Sequence, residues 1–179
     1  MAGKIAMANK AIFTALLAVA VLGFTAGGMA EGGGKMKITS PDFENNNFIP
    51  RKFTCDGDDV NPGLVIEGIP EKAKSLVLIV EDPDASSGIW VHWVVYDIPV
   101  TGRIGENSVP GKQGMTDSGK KAYHGPCPPF GTHRYFFRVY ALDTALNLKE
   151  GVKKPDVEKA MQGHILEKSE LMGLYKRVR

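Results

Sequence analysis

Three stretches limit what this chain can fold into: SLVLIVED (75–82), WVHWVVYDI (90–98) and RYFFRVYALD (134–143). Each is rich in β-branched and aromatic residues, and each is too short for a buried helix, so all three read as strands. Their near-continuous apolar character predicts central strands buried on both faces.

MKITS (36–40) and GLVIEGIP (63–70) read as short strands, and LMGLYKRV (171–178) as a last one. KPDVEKAMQGHILEKSE (154–170) reads as the single helix, with Pro155 and Asp156 in its first turn and Val157, Met161 and Ile165 at helical spacing. His164 falls on that helix as a structural residue. The segment 43–63 is polar and rich in turn residues. The segment 99–124 holds five glycines without helical period, and a connection that long is usually functional or mobile. The expected fold is mainly β, an antiparallel sandwich with a helix packed on it.

The first thirty residues belong to a different class. Lys4 and Lys10 precede an uncharged apolar run, and small residues at Gly28 and Ala30 follow. This is the pattern of a secretory signal peptide cut after Ala30, leaving one domain at 31–179 with no transmembrane segment, in the periplasm or outside the cell. Removing Lys4 and Lys10 from 22 basic residues leaves 20 against 20 acidic ones, so no basic excess points to nucleic acid. Cys55 and Cys127, the only cysteines, are expected to form a disulfide in an oxidising compartment.

Polar groups collect at the strand ends. Strict alternation puts Trp90, His92, Val94 and Tyr96 on one side of the second strand, and His133 with Tyr135 on one side of the third. The first strand ends at Asp82, and DPDA turns the chain there, with Asp84 beside it. Two imidazoles, a phenol and the N–H groups of the Gly125–Pro126 turn form a set of donors suited to a small oxyanion such as phosphate. Asp82 would repel that anion, so its expected task is to fix the tautomer of one histidine. The prolines of GPCPP would stiffen the opposite wall. Arg134 should point to the other face and pair with an acid. Two histidines and a carboxylate could also hold a metal, and Ser86 or Ser87 could act as a nucleophile, but no motif supports either, and no cofactor is expected.

The blocks CDGDDVNPGL, SLVLIVEDPDA, WVHWVVYDIP, YHGPCPPFGTHRYFFRVYALD and GHILEKSELMGLYKR, in this order, resemble the phosphatidylethanolamine-binding protein family, in particular its bacterial and archaeal Raf kinase inhibitor-like (YbhB/YbcL-type) branch. The resemblance runs from about Ile38 to Lys176. It implies two antiparallel sheets in Greek-key arrangement with a C-terminal helical segment, and a small anion pocket. It implies that Asp82, His92, His133 and Tyr135 line the pocket, that Gly125 and Pro126 belong to its wall, and that Asp84 and Trp90 stand beside it. The chain departs from the family's frequent DPDAP in carrying Ser86 after Ala85. It also lacks the extra residues that eukaryotic members have between DPDA and the W-x-H block, so their phospholipid selectivity does not carry over.

These readings lead to an exported binding protein for phosphate-like or phospholipid head-group ligands. Two alternatives stand beside it. One is a protein-interaction or enzyme-inhibitor module with a protein partner, working through the 99–124 surface. The other is a small-molecule enzyme using His92 or His133 as acid–base.

Overall fold

The structure is a computed structural model that describes Met1, Gly3 and residues 35–177. The segment read as a signal peptide lies outside the described residues. Among the described residues there are eight strands and one α-helix: β1 (Lys37–Thr39), β2 (Leu64–Glu67), β3 (Ser75–Asp82), β4 (Trp90–Ile98), β5 (Arg103–Ile104), β6 (Lys112–Gln113), β7 (His133–Leu142), α1 (Lys154–Met161) and β8 (Ile165–Tyr175). They form a three-stranded sheet in the order β1-β2-β5 and a five-stranded sheet in the order β6-β4-β3-β7-β8, with every pairing antiparallel.

The large sheet is the middle layer. On one face Leu76, Leu78 and Val80 of β3 join Trp93, Val95, Tyr135, Phe137 and Val139 in a core closed by Ile38, Leu64, Ile66 and Ile104 of the small sheet. On the other face Val77, Ile79, Val94 and Tyr96 pack with Val157 and Met161 of α1 and with Leu146, Leu148 and Val152. Covered twice, β3 is buried at every position, and β4 nearly so. The strand β7 differs from expectation: its buried residues alternate with half-exposed or exposed ones for most of its length. The reason is that the α1 layer leaves part of the second face of β7 open, where Arg138 reaches Glu81 and Glu170.

The helix is shorter than the sequence predicts. Pro155 opens it, and Asp156 accepts the Lys153 backbone N–H at 3.2 Å. Gly163, at φ 79°, ends it in the left-handed conformation that only glycine adopts freely. Residues 165–170 then become the first half of β8, and Ile165 is exposed. His164 sits in the turn, half-exposed, with Nδ1 2.8 Å from Asp143 Oδ1. The helical segment is thus followed by a strand.

The connection 99–124 is tied into the body. It supplies β5 to the small sheet and β6 to the large one, and Asp117 accepts the Val91 N–H at 2.7 Å. Cys55 and Cys127 are joined in a disulfide across 72 positions of sequence. Among the described residues no helix is long and apolar enough to cross a membrane.

Candidate functional site

The site begins with a break in alternation. Along β3 and β4, Val80 opposes Trp93 but Glu81 opposes Val91, so His92 is one residue more than its partner strand can match. This is a β-bulge. It turns His92 toward the same face as Trp93, whereas strict alternation predicts that His92 shares a face with Val94 and Tyr96. Those two belong to the core beneath α1. The bulge is what brings His92 to the end of β3 and β7.

Asp82 ends β3 and is buried. Its Oδ2 lies 2.7 Å from His133 Nδ1, and its Oδ1 accepts the Asp84 N–H at 2.8 Å, closing the turn that follows. Asp84 faces away from this cluster. It accepts two bonds from the Arg134 guanidinium, at 2.9 and 2.6 Å, and one from the Arg134 N–H at 3.0 Å. The guanidinium holds the Asp84 carboxyl below its ordinary range. One aspartate of DPD thus serves the cluster, and the other fastens the turn to β7.

His92 is buried, with Nδ1 2.6 Å from the carbonyl of His124, whose own N–H donates to the His92 carbonyl at 3.1 Å. The two rings stack at 5.8 Å, and the Tyr135 ring meets His92 edge-on at 5.2 Å. Burial pushes the His92 imidazole down to about 4, against the smaller upward pull of its bond to His124. Tyr135 is fully buried, and its hydroxyl makes no hydrogen bond of ordinary length among the described residues, although the Asp82 carboxylate and the Cys127 backbone stand close enough to act on its proton. Burial first, and then the nearby Asp82 charge, raise the Tyr135 phenol well above its usual value.

These groups line a cavity of about 310 Å³ with Ala85, Ser86, Ser87, Trp90, His124, Cys127, Pro128 and Pro129. That volume lies at the small end of ligand sites. Of the residues singled out in the sequence, Asp82, Trp90, His92, His133 and Tyr135 meet in this cavity. Asp84, Gly125 and Pro126 do not line it. Gly125 backs the wall: its N–H donates to Asp59 Oδ1 at 2.6 Å, and a Cβ there would stand 2.5 Å from the Phe53 carbonyl oxygen. Its N–H is therefore not free for a ligand, contrary to the expectation from the Gly–Pro turn. The Pro126 carbonyl accepts the Cys55 N–H at 3.2 Å, beside the disulfide.

Sequence reasoning passed over His124 as a cavity residue and weighed Ser86 and Ser87 only as nucleophiles; the cavity wall holds all three. His124 opens the proline-rich stretch, and the serines continue DPDA, so adjacency to the motifs was the available signal. The serines ride on a tight turn closed by the Gly88 N–H to the Ala85 carbonyl at 3.0 Å, with Gly88 at φ 96°. Among the described residues no group of three His, Cys, Asp or Glu side chains is arranged to hold a metal ion.

A family model described as phosphatidylethanolamine-binding protein matches residues 39–176. A UPF0098 protein of the archaeon Methanothermobacter thermautotrophicus is 47% identical over 153 residues, covering 79% of this chain and 99% of that protein. One of Pyrococcus abyssi is 48% identical over 174 residues, covering 90% and 96%. Among solved structures, a phosphatidylethanolamine-binding protein homolog of Chlamydia trachomatis superposes with a TM-score of 0.78 at 42% identity, over 80% of this chain and 99% of that one. Escherichia coli YbcL, described as a member of the mammalian family of that name, gives a TM-score of 0.75 at 25% identity, over 81% and 100%.

Proposed function

This chain belongs to the phosphatidylethanolamine-binding protein family, and from that membership we propose an exported binding protein whose cavity takes small phosphate-like anions, free or as a phospholipid head group. The observation that carries the reading is the buried Tyr135 hydroxyl. It makes no hydrogen bond of ordinary length among the described residues, in the wall of a cavity that also holds the Asp82–His133 pair and His92. A buried donor without a partner is costly, and a ligand oxygen would satisfy it. The cavity's volume suits a head group. Export is supported by the basic and apolar composition of residues 1–30 and by the Cys55–Cys127 disulfide.

Calorimetric titration at pH 6.5 with inorganic phosphate and with phosphoethanolamine tests the anion reading. Saturable binding is expected, weakened at least tenfold in His92→Ala and in Tyr135→Phe. Binding that both variants leave unchanged would place the ligand elsewhere. Export has its own test: N-terminal sequencing of protein expressed from Met1 and recovered outside the cytoplasm should begin at Glu31, and recovery of the intact chain from the cytoplasm would overturn it.

A further inference from the structure

We propose that the two loops around the cavity mouth form a docking surface for a lipid bilayer, so that a phospholipid head group enters the cavity from a membrane rather than from free solution. The inference rests on the head-group reading above and names the surface that brings the ligand in.

Both loops leave the same end of the large sheet. Residues 83–89 join β3 to β4, whose end residues Asp82 and Trp90 pair with each other, and residues 125–132 lead into β7 at His133. The first loop gives Ala85, Ser86 and Ser87 to the cavity wall, and the second gives Cys127, Pro128 and Pro129. Beyond these, each loop carries one large apolar side chain that the fold does not bury: Ile89 is 56% exposed and Phe130 is 70% exposed. Phe130 borders the cavity, its ring meeting that of His133 edge-on at 6.4 Å. Ile89 precedes Trp90, which is half-buried in the cavity wall. Other exposed apolar side chains, Val100, Ile165 and Leu166, belong to the opposite end of the sheet.

Charge and stiffness decide the occupant. In a chain with 23% charged residues, neither 85–96 nor 122–133 contains a lysine, arginine, aspartate or glutamate. The charges that border these stretches are engaged: Asp84 with Arg134, Asp82 with His133, and Asp117 with the Val91 N–H. A protein interface is bounded by a polar rim, whereas here the exposed apolar side chains rise from loops with no charge at all. A neutral surface that shows a phenylalanine and an isoleucine beside a half-buried tryptophan suits the zone between lipid head groups and acyl chains. A head group seated between the two loops would leave its acyl chains against these side chains. The tips are also preformed. Pro128 and Pro129 stiffen the approach to Phe130, Gly131 turns the chain after it at φ 69°, and Gly88 turns it before Ile89 at φ 96°. Little ordering entropy is then lost when the tips enter the membrane.

The test uses the chain from Glu31, which holds every described strand, the helix and the disulfide and omits the apolar residues before it. Its probe is vesicles of phosphatidylethanolamine and phosphatidylcholine. The protein should sediment with them, and should still do so in high salt, because the contact is apolar. Ile89→Ser with Phe130→Ser should lower the bound fraction about fivefold or more, with phosphoethanolamine affinity in solution kept within about twofold, since neither residue lines the cavity. Val100→Ser, at the far end, should change neither. In Phe130→Trp the new indole should shift to the blue on vesicles and be quenched by lipids brominated on their acyl chains. If phosphoethanolamine binds but the vesicles do not, the docking surface is overturned and the anion reading stands. Vesicle binding that the double variant leaves unchanged, or that high salt abolishes, overturns it as well, by placing the membrane contact elsewhere or in charge. Failure to bind either probe removes the head-group reading, and the proposal with it.

Discussion

His92 reaches the cavity because β4 carries one residue more there than β3 pairs between Val80 and Glu81, and its neutral ring has a measurable consequence. Its folded value of about 4 lies below the 6.5 of an unfolded histidine. Between those values the unfolded chain binds the extra proton, so stability is complete above about pH 6.5 and falls as the pH drops toward 4. His92→Asn keeps a donor for the His124 carbonyl and removes the titration. Between pH 7 and 4.5 the wild type should lose about 2 kcal/mol more than this variant in urea unfolding, since other titrating groups act on both chains. Equal losses would show that His92 is not held neutral. A second residue, Gly125, is defined by its neighbours: an added Cβ meets the Phe53 carbonyl oxygen at 2.5 Å and Thr54 Cα at 2.8 Å, both backbone. Gly125→Ala should lower stability by about 1–3 kcal/mol, read from its urea midpoint, because neither contact can swing aside. The residue types of the cavity were legible in the sequence, and so was the carboxylate's partnership with a histidine. The bulge was not, because an extra residue in a strand has no composition of its own, and alternation assigned His92 to the wrong neighbours.

At the scale of elements, the strands were legible wherever apolar runs decided them, as in β3 and β4. The error at 162–170 has a physical cause. Val157, Met161 and Ile165 fit a helical period, but Gly163 breaks the chain direction, and pairing along the whole of β7 then outweighs local propensity. The short helix is held to the sheet partly by charge. Glu81, buried on β3, pairs with Arg138 of β7 and Lys154 of α1. Each cation has a second acid, Glu170 at 3.0 Å and Glu158 at 3.4 Å, whereas Glu81 has these two alone among the described residues. The asymmetry sets an order of effects. Glu81→Gln should be mild, because both cations keep a partner. Arg138→Leu with Lys154→Met leaves a buried carboxylate bare and should destabilise by about 3–5 kcal/mol. Adding Glu81→Leu to that pair should recover most of the loss. Urea midpoints of the three variants check the order, and a severe Glu81→Gln with a mild double variant would reverse it.

On the scale of the molecule, one cross-link unites the irregular half of the chain with the cavity. The polar stretch 43–63 forms little regular structure, yet it carries Asp59, which holds the Gly125 N–H and stands behind His124, and Cys55, which is bonded to Cys127 in the cavity wall. No strand ladder joins the loop to the wall, so the disulfide, the Cys55 N–H to Pro126 carbonyl bond, the Gly125 N–H to Asp59 bond and the Tyr123 hydroxyl to Phe53 carbonyl bond set their spacing. The link closes 72 positions of sequence, for which the chain-entropy relation gives about 4 kcal/mol. Cys55→Ser with Cys127→Ser should therefore lower the unfolding free energy by about 4 kcal/mol. The loss should also appear at the cavity: at a temperature where the variant is still folded, its phosphate affinity should fall several-fold, because the wall carrying His124 and Pro128 is no longer pinned. The wild type under strong reductant should behave as the variant does, and in urea unfolding it should differ from it by less than the oxidised protein does. If the double variant unfolds at the same urea concentration as the oxidised wild type, the loop is held by its hydrogen bonds and the cross-link is incidental. If stability falls but phosphate affinity does not, the disulfide serves the fold and the cavity wall stands without it.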